Sequence, residues 1–274
     1  MLYTATYDGG IRYFDDNLEE KVISLEFKEG ENDHITSIEK NRDNSLVCMG
    51  TLGGRILFFD APDQLCNAYR LDSNVLAIKN ANQNNFYALT SESLHSLDKL
   101  AVQKSYPFSK TKRKKAGRAA SCLELKRDVL IGSFDQHLYR LNNHRLEPVL
   151  SLDRPVISIA QTEFLTHVSY GAVKGSQVIT LDRKDQVVEQ KSFPGNILIS
   201  YVKGSLLIAS EGVLNECVGL EPANSIKISD ERISQIKPYG NFAAVTAGKR
   251  LYLLNKQLEV INERKLPDLI TALG

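Results

Sequence analysis

The residues best suited to chemistry are scattered. His34, His95, His137, His144 and His167 lack the H-x-x-x-H or H-E-x-x-H spacing that brings two imidazoles to one metal. Cys48, Cys66, Cys122 and Cys217 form no C-x-x-C pair, and three of them lie in strand-like runs, SLVCMG, ASCLEL and LNECVG. They read as buried or half-buried free thiols of a reducing compartment. There is no G-x-S-x-G elbow to expose a serine, no P-loop to cradle phosphates and no G-x-G-x-x-G turn for a dinucleotide. The neighbouring carboxylates Asp15-Asp16 and Glu19-Glu20 fall in a turn between strands and read as solvated charge. The sequence therefore predicts no catalytic residue, no metal ligand and no cofactor.

One segment stands out by charge. From Lys104 to Arg118 the chain carries seven cations, Lys104, Lys110, Lys112, Arg113, Lys114, Lys115 and Arg118, and no acid. Three readings remain open for it: a solvated loop, a nuclear-localisation signal, or a contact for nucleic acid or an acidic protein segment. Tyr106 and Phe108 stand beside the run, where they either stack on bases or anchor the loop. The rest of the chain is nearly balanced, with a net charge of +1, so any electrostatic partner must be recruited by a local patch. The 42% hydrophobic and 24% charged fractions are those of a folded globular chain. The N-terminus MLYTATYDGG has no basic and apolar leader pattern, and no apolar run reaches membrane-spanning length. These features predict a nuclear or cytoplasmic protein that is neither secreted nor membrane-bound.

The elements that must position these residues are strands. Runs such as SLVCMGT, RILFFD, DVLIGSF, HLYRLN, SLLIAS and RLYLLN are short, rich in β-branched and aromatic residues, and separated by turn residues. They recur in one phrase: an apolar strand ending in small residues, a tight turn, and a second strand ending in a polar residue. Clear copies are YTATYDGGIRYFD, LVCMGTLGGRILFFD, VLIGSFDQHLYRLN and AAVTAGKRLYLLN; weaker ones are FYALTSESLHSLD, HVSYGAVKGSQVITLD and LLIASEGVLNECVGLE. The terminal polar residues, Asp15, Asp60, Asp98, Asn142, Asp182, Glu221 and Asn255, are 34 to 45 residues apart. Seven units of about 39 residues fill the chain.

The turn Tyr7-Asp8-Gly9 with Ile11–Asp15, the turn Leu52-Gly53-Gly54 with Arg55–Asp60, and Phe134-Asp135-Gln136 with His137–Asn142 resemble the WD40-repeat family. The chain departs from that family in having no tryptophan and no Gly-His pair, so the family's Asp–His–Ser/Thr–Trp hydrogen-bond network is missing or replaced. The resemblance implies an all-β, seven-bladed β-propeller, residues 1–274 forming one domain with the insertion 104–118 between blades three and four. Four-stranded sheets packed in series bury both faces, which a single such sheet cannot do. The first blade lacks its first strand, and Leu269–Leu273 is placed to supply it, so that both termini share one blade.

By the same resemblance the turns inside each phrase and the loops between blades lie on one face, giving a basic rim that includes Arg55, Lys174, Lys249 and Arg250. The implied function is a non-catalytic scaffold, a subunit of a larger complex, docking protein partners with acidic segments. The predicted contacts are Lys110, Lys112, Arg113, Lys114, Lys115, Arg118, Arg55, Lys249 and Arg250. A nuclear propeller whose basic loop touches DNA or RNA is the alternative. A propeller-type hydrolase built on two spaced carboxylates is a further one. The phrase-ending acids either converge on a cation such as Ca²⁺ or cap nearby backbone amides, the latter being favoured. No small-molecule substrate is expected.

Overall fold

The computed structural model describes residues 1–14, 19–23, 33–60, 62–71, 73–108, 120–172 and 175–274. These residues form 28 strands and no helix, arranged as seven four-stranded antiparallel sheets, the blades of a seven-bladed β-propeller. They gather into two compact units, Met1–Ala120 with Pro267–Gly274, and Ser121–Leu266.

In the first unit, blade 1 has the strand order Ile270–Leu273, Leu2–Thr6, Ile11–Phe14 and Glu20–Ile23. The C-terminal segment thus supplies the first strand, as the sequence predicts. Thr4 faces Leu273 and Ala5 faces Ala272, and Tyr3 and Gly274 exchange backbone hydrogen bonds of 2.7 and 2.9 Å. Blade 2 consists of Ile35–Lys40, Leu46–Thr51, Arg55–Asp60 and Gln64–Arg70, and blade 3 of Val75–Asn80, Asn85–Thr90, Ser93–Asp98 and Val102–Pro107.

In the second unit, blade 4 consists of Ala120–Leu125 (whose first residue belongs to the first unit), Val129–Ser133, His137–Asn142 and Arg145–Ser151. Blade 5 is Val156–Gln161, Thr166–Ala172, Gly175–Leu181 and Val187–Phe193. Blade 6 is Ile197–Val202, Ser205–Ser210, Val213–Val218 and Glu221–Lys227. Blade 7 is Ile233–Tyr239, Phe242–Ala247, Arg250–Leu254 and Val260–Lys265. Blade 6, weak in sequence, is fully paired from Ile197 opposite Ser210 to Val218 opposite Glu221.

The second and third strands read as continuous apolar runs because they are covered on both faces. In blade 2, Val47, Met49, Leu57 and Phe59 pack towards blade 1, while Leu46, Cys48, Ile56 and Phe58 pack towards blade 3. Phe58 meets Phe86 of blade 3 edge-on, with ring centroids 5.7 Å apart. Blade 6 repeats the division: Leu206 and Ile208 join a cluster with Val178 of blade 5, and Leu207 and Ala209 one with Val245 of blade 7. Fourth strands are mostly solvent-facing, and Pro107, Pro148 and Pro222 sit there, where an edge tolerates a missing N–H. Pro238 lies inside the first strand of blade 7, which is also an edge strand.

The small residues that end each second strand also have a structural cause. A Cβ on Gly50 would lie 2.3 Å from Val75 Cγ1 of blade 3, and one on Gly132 2.5 Å from Val156 Cγ1 of blade 5. Hydroxyl groups tie adjacent blades at the same level. Thr36 Oγ1 donates to the Val75 carbonyl (2.6 Å), and the Ile78 amide donates to Ser37 Oγ (2.8 Å). Likewise the Ile199 amide donates to Ser158 Oγ (2.9 Å), and Ser169 Oγ to the Ile197 carbonyl (3.0 Å).

Candidate partner-docking face

One hydrogen bond recurs between the residue leaving a fourth strand and the turn joining the second and third strands. Leu71 N donates to Gly54 O (2.8 Å), Phe108 N to Glu92 O (3.0 Å), Leu152 N to Gln136 O (2.8 Å), Ile228 N to Gly212 O (2.9 Å) and Leu266 N to Lys249 O (2.8 Å). These turns and the connectors to the next blade therefore share one end of each sheet, called here the turn face.

The turns are held by a buried hydroxyl that closes the second strand: Thr6, Thr51, Thr90 and Ser133. In blade 1, Thr6 Oγ1 donates to Asp8 Oδ1 (2.6 Å), the Gly10 amide donates to the same oxygen (3.1 Å), and Arg12 Nη1 donates to Thr6 Oγ1 (3.0 Å). The Thr6 hydroxyl, and then the Gly10 amide, hold the Asp8 carboxyl below the usual carboxylate range. In blade 2 the acid comes from the preceding connector. Thr51 Oγ1 donates to Asp33 Oδ2 (2.7 Å), the Gly53 amide donates to Asp33 Oδ1, and the Arg55 amide donates to Thr51 Oγ1 (2.9 Å). The Asp33 side chain is only 8% exposed. In blade 4, the Asp135 amide donates to Ser133 Oγ (3.2 Å) and Tyr139 OH donates to Asp135 Oδ2 (2.6 Å).

With the hydroxyl fixed inward, the following residue is driven outward. It is Tyr7 in blade 1 (55% exposed), Leu52 in blade 2 (44%) and Phe134 in blade 4 (58%). In the first unit these residues join others. The Tyr7 ring stacks on His34, with centroids 4.2 Å apart and planes 19° apart. Leu52 N donates to His34 O (2.8 Å), and Tyr7 N to the carbonyl of Leu269 (2.8 Å), itself exposed. Leu269, Tyr7, His34 and Leu52 thus form one aromatic and aliphatic patch on a hydrogen-bonded frame. The turns that contribute Tyr7 and Leu52 are visible in the sequence as part of the repeat. Their one clue to function is an apolar residue at a turn position that turn chemistry would leave polar.

The nine cations predicted from sequence fare differently. Lys110, Lys112, Arg113, Lys114, Lys115 and Arg118 lie outside the described residues, as does Lys174. Arg55 is engaged by Asp33, Nε to Oδ2 3.5 Å, and Arg250 pairs with Glu263. Lys249 is half-buried and uses its carbonyl to hold Leu266. Among the described residues of the first unit, the turn face carries Asp8, Asp33, Glu92 and Asp268 beside Arg12, Arg55 and Arg70. The connector itself starts later than expected, because Lys104–Pro107 belongs to the fourth strand of blade 3. Tyr106 and Phe108 are buried there, with Lys104 Nζ 5.4 Å from the Tyr106 ring centroid. Their burial leaves neither ring exposed for stacking on bases.

Other chemistry-bearing side chains serve the fold. Asp98 Oδ1 accepts from the amides of Leu100 (2.7 Å) and Ala101 (3.0 Å), and Asp182 Oδ1 from those of Lys184 (2.8 Å) and Gln186 (2.9 Å). Asp60 instead pairs with Lys99 (3.1 Å). Among the described residues no three His, Cys, Asp or Glu side chains are grouped to hold a metal ion. All four cysteines are free, and burial pushes the Cys217 thiol up to about 11 and the Cys48 thiol well above its ordinary value. Cys48 and Cys217 are buried members of the blade cores.

No protein-family profile and no curated protein matches the sequence. Solved structures do. The crystal structure of BamB from Moraxella catarrhalis aligns over 99% of this chain and 87% of its own, with a TM-score of 0.63 at 16% identity. The computationally designed Ika8 protein aligns over 92% of each chain, with a TM-score of 0.66 at 12% identity. At such identities the likeness is one of fold, and together with the seven four-stranded sheets it places this chain among the β-propellers.

Proposed function

We propose that this propeller is a non-catalytic binding platform that docks a partner protein on its turn face, as one subunit of a larger nuclear or cytoplasmic assembly. The observation that carries the reading is the Leu269–Tyr7–His34–Leu52 patch. In it the exposed Tyr7 and Leu52 stand on turns already fixed by buried hydroxyls and carboxylates, and the half-buried His34 and exposed Leu269 are tied to them by backbone hydrogen bonds. Binding there orders little that is not already ordered, and a rigid aromatic anchor is the side-chain type on which interface energy concentrates. WD40-like use of a rigid scaffold to present loops supports the same reading. The basic run Lys110–Arg118 is proposed as a second contact, for acidic segments of the partner.

The test is affinity capture from nuclease-treated extract with three baits: wild type, the double variant Tyr7→Ala/Leu52→Ser, and a variant with Lys110, Lys112, Arg113, Lys114, Lys115 and Arg118 changed to Ser. A defined set of proteins should bind wild type. The double variant should lose at least one of them about tenfold or more while keeping its thermal midpoint, and the loop variant should bind with a weakened salt dependence. A protein set that both variants retain in full would contradict the reading.

A further inference from the structure

We propose that a cleft between blades 6 and 7 binds the C-terminal carboxylate of a peptide whose last side chain is apolar. This site is separate from the turn-face patch. It is built from the turns at the opposite ends of the two sheets: Val202–Ser205, Tyr239–Phe242 and Leu254–Val260. The cleft has a volume of about 230 Å³. That is below the usual range for a whole organic ligand and is suited to one terminal residue.

Its floor is apolar. Val202, Leu207, Ala243 and Leu258 are buried members of one cluster, and Phe242 stands half-buried beside them. Two exposed lysines, Lys203 and Lys256, flank the floor, and Glu216 is the one acid in the lining. Within the lining the two cations outnumber the one anion, and the nearby Glu259 carboxylate is occupied by Asn255 Nδ2, which donates to its Oε2 (2.7 Å).

Both lysines project from fixed backbone. Lys203 and Gly204 have φ of 51° and 90° in the two-residue turn between Val202 and Ser205, the paired positive values of a tight hairpin. Lys203 also reaches Asn241 Oδ1 across the cleft. The turn carrying Lys256 is clamped by Asn255, whose Oδ1 accepts from the amides of Gln257 and Glu259, both at 2.9 Å. Glu216 is oriented by Ser205 Oγ, which donates to Oε1 (2.6 Å). A terminal carboxylate set between the lysines puts its side chain on the floor and its own amide N–H towards Glu216. The cleft thus offers a terminal residue a positive rim, an apolar well and a side-chain acceptor for its amide N–H.

The experiment uses the full chain and a fluorescein-labelled hexapeptide ending in Ala-Leu with a free carboxylate, followed by anisotropy. Saturable binding is expected, weakened about tenfold by C-terminal amidation, by Leu→Asp at the last position, and by each of Lys203→Glu and Lys256→Glu. The lysine variants should keep the wild-type thermal midpoint, and Tyr7→Ala/Leu52→Ser should bind the peptide normally. Absence of saturable binding, or equal affinity for the acid and the amide, would overturn the proposal. Displacement of the hexapeptide by N-acetyl-leucine at equal affinity would overturn the peptide assignment in favour of a free carboxylate.

Discussion

His167, one of the five scattered histidines, is a buried imidazole. Its Nε2 lies 2.9 Å from Tyr201 OH of the next blade and its Nδ1 3.0 Å from Thr180 Oγ1. Burial lowers its pKa to about 4, so the folded protein holds it neutral. In the unfolded chain the ring takes up its proton near pH 6.5. The unfolded state therefore binds more protons between those two values, and stability falls as pH drops through that window. The expected loss from pH 7 to pH 5 is about 2 kcal/mol from this one group. Urea unfolding across that range should show it, and His167→Gln should flatten the slope. A slope unchanged in the variant would mean that other groups carry the acid sensitivity. Arg55 gives the complementary lesson. Its charge is plain in the sequence, but the capture of its side chain by Asp33, 22 positions earlier, appears only once the connector folds over the turn.

At the scale of strands and blades, the alternation of side chains explains why the second and third strands were legible and the fourth strands were not. A strand buried on both faces must be apolar at every buried position, as in LVCMG and ILFF. A fourth strand such as Glu221–Lys227 faces solvent along most of its length and carries no such pattern. The small residues at the ends of the second strands were visible as part of the phrase, and the approach of the next blade supplies their cause. Gly50→Ala should cost about 1–3 kcal/mol, because the new methyl meets Val75 in a packed interface. Adding Val75→Ala should then cost less than it does in the wild-type background, a coupling that thermal or urea melts of the four-member cycle will reveal. Additive costs would show that the methyl finds room elsewhere.

At the scale of the molecule, the repeat count and the sharing of blade 1 by both termini follow from the sequence because each is a statement about spacing. Deleting Ile270–Gly274 should strip the first strand from blade 1, leave the Leu2–Thr6 backbone unpaired on one side, and expose Tyr3 and Ala5. Hydrogen exchange should then show lost protection in Leu2–Thr6 and Ile35–Lys40, and adding back the peptide ITALG in trans should restore part of it. Unchanged protection would mean that the strand contributes little to the blade. The candidate site was less legible than the fold. Charge is read one residue at a time, so the run Lys104–Arg118 dominates the sequence. Tyr7 and His34 are separated in sequence by two strands and the connector to blade 2, and folding alone brings them together.

The claim that the turn face is where partners dock is tested most directly by photo-crosslinking in cells, with a photoreactive amino acid at position 7 or 52, and at position 188 or 261 as the comparison. Val188 and Ile261 are equally exposed apolar residues, but they lie on fourth strands. A discrete crosslinked protein is expected at positions 7 and 52 and none at 188 or 261. Crosslinks confined to 188 or 261, with none at 7 and 52, would contradict it.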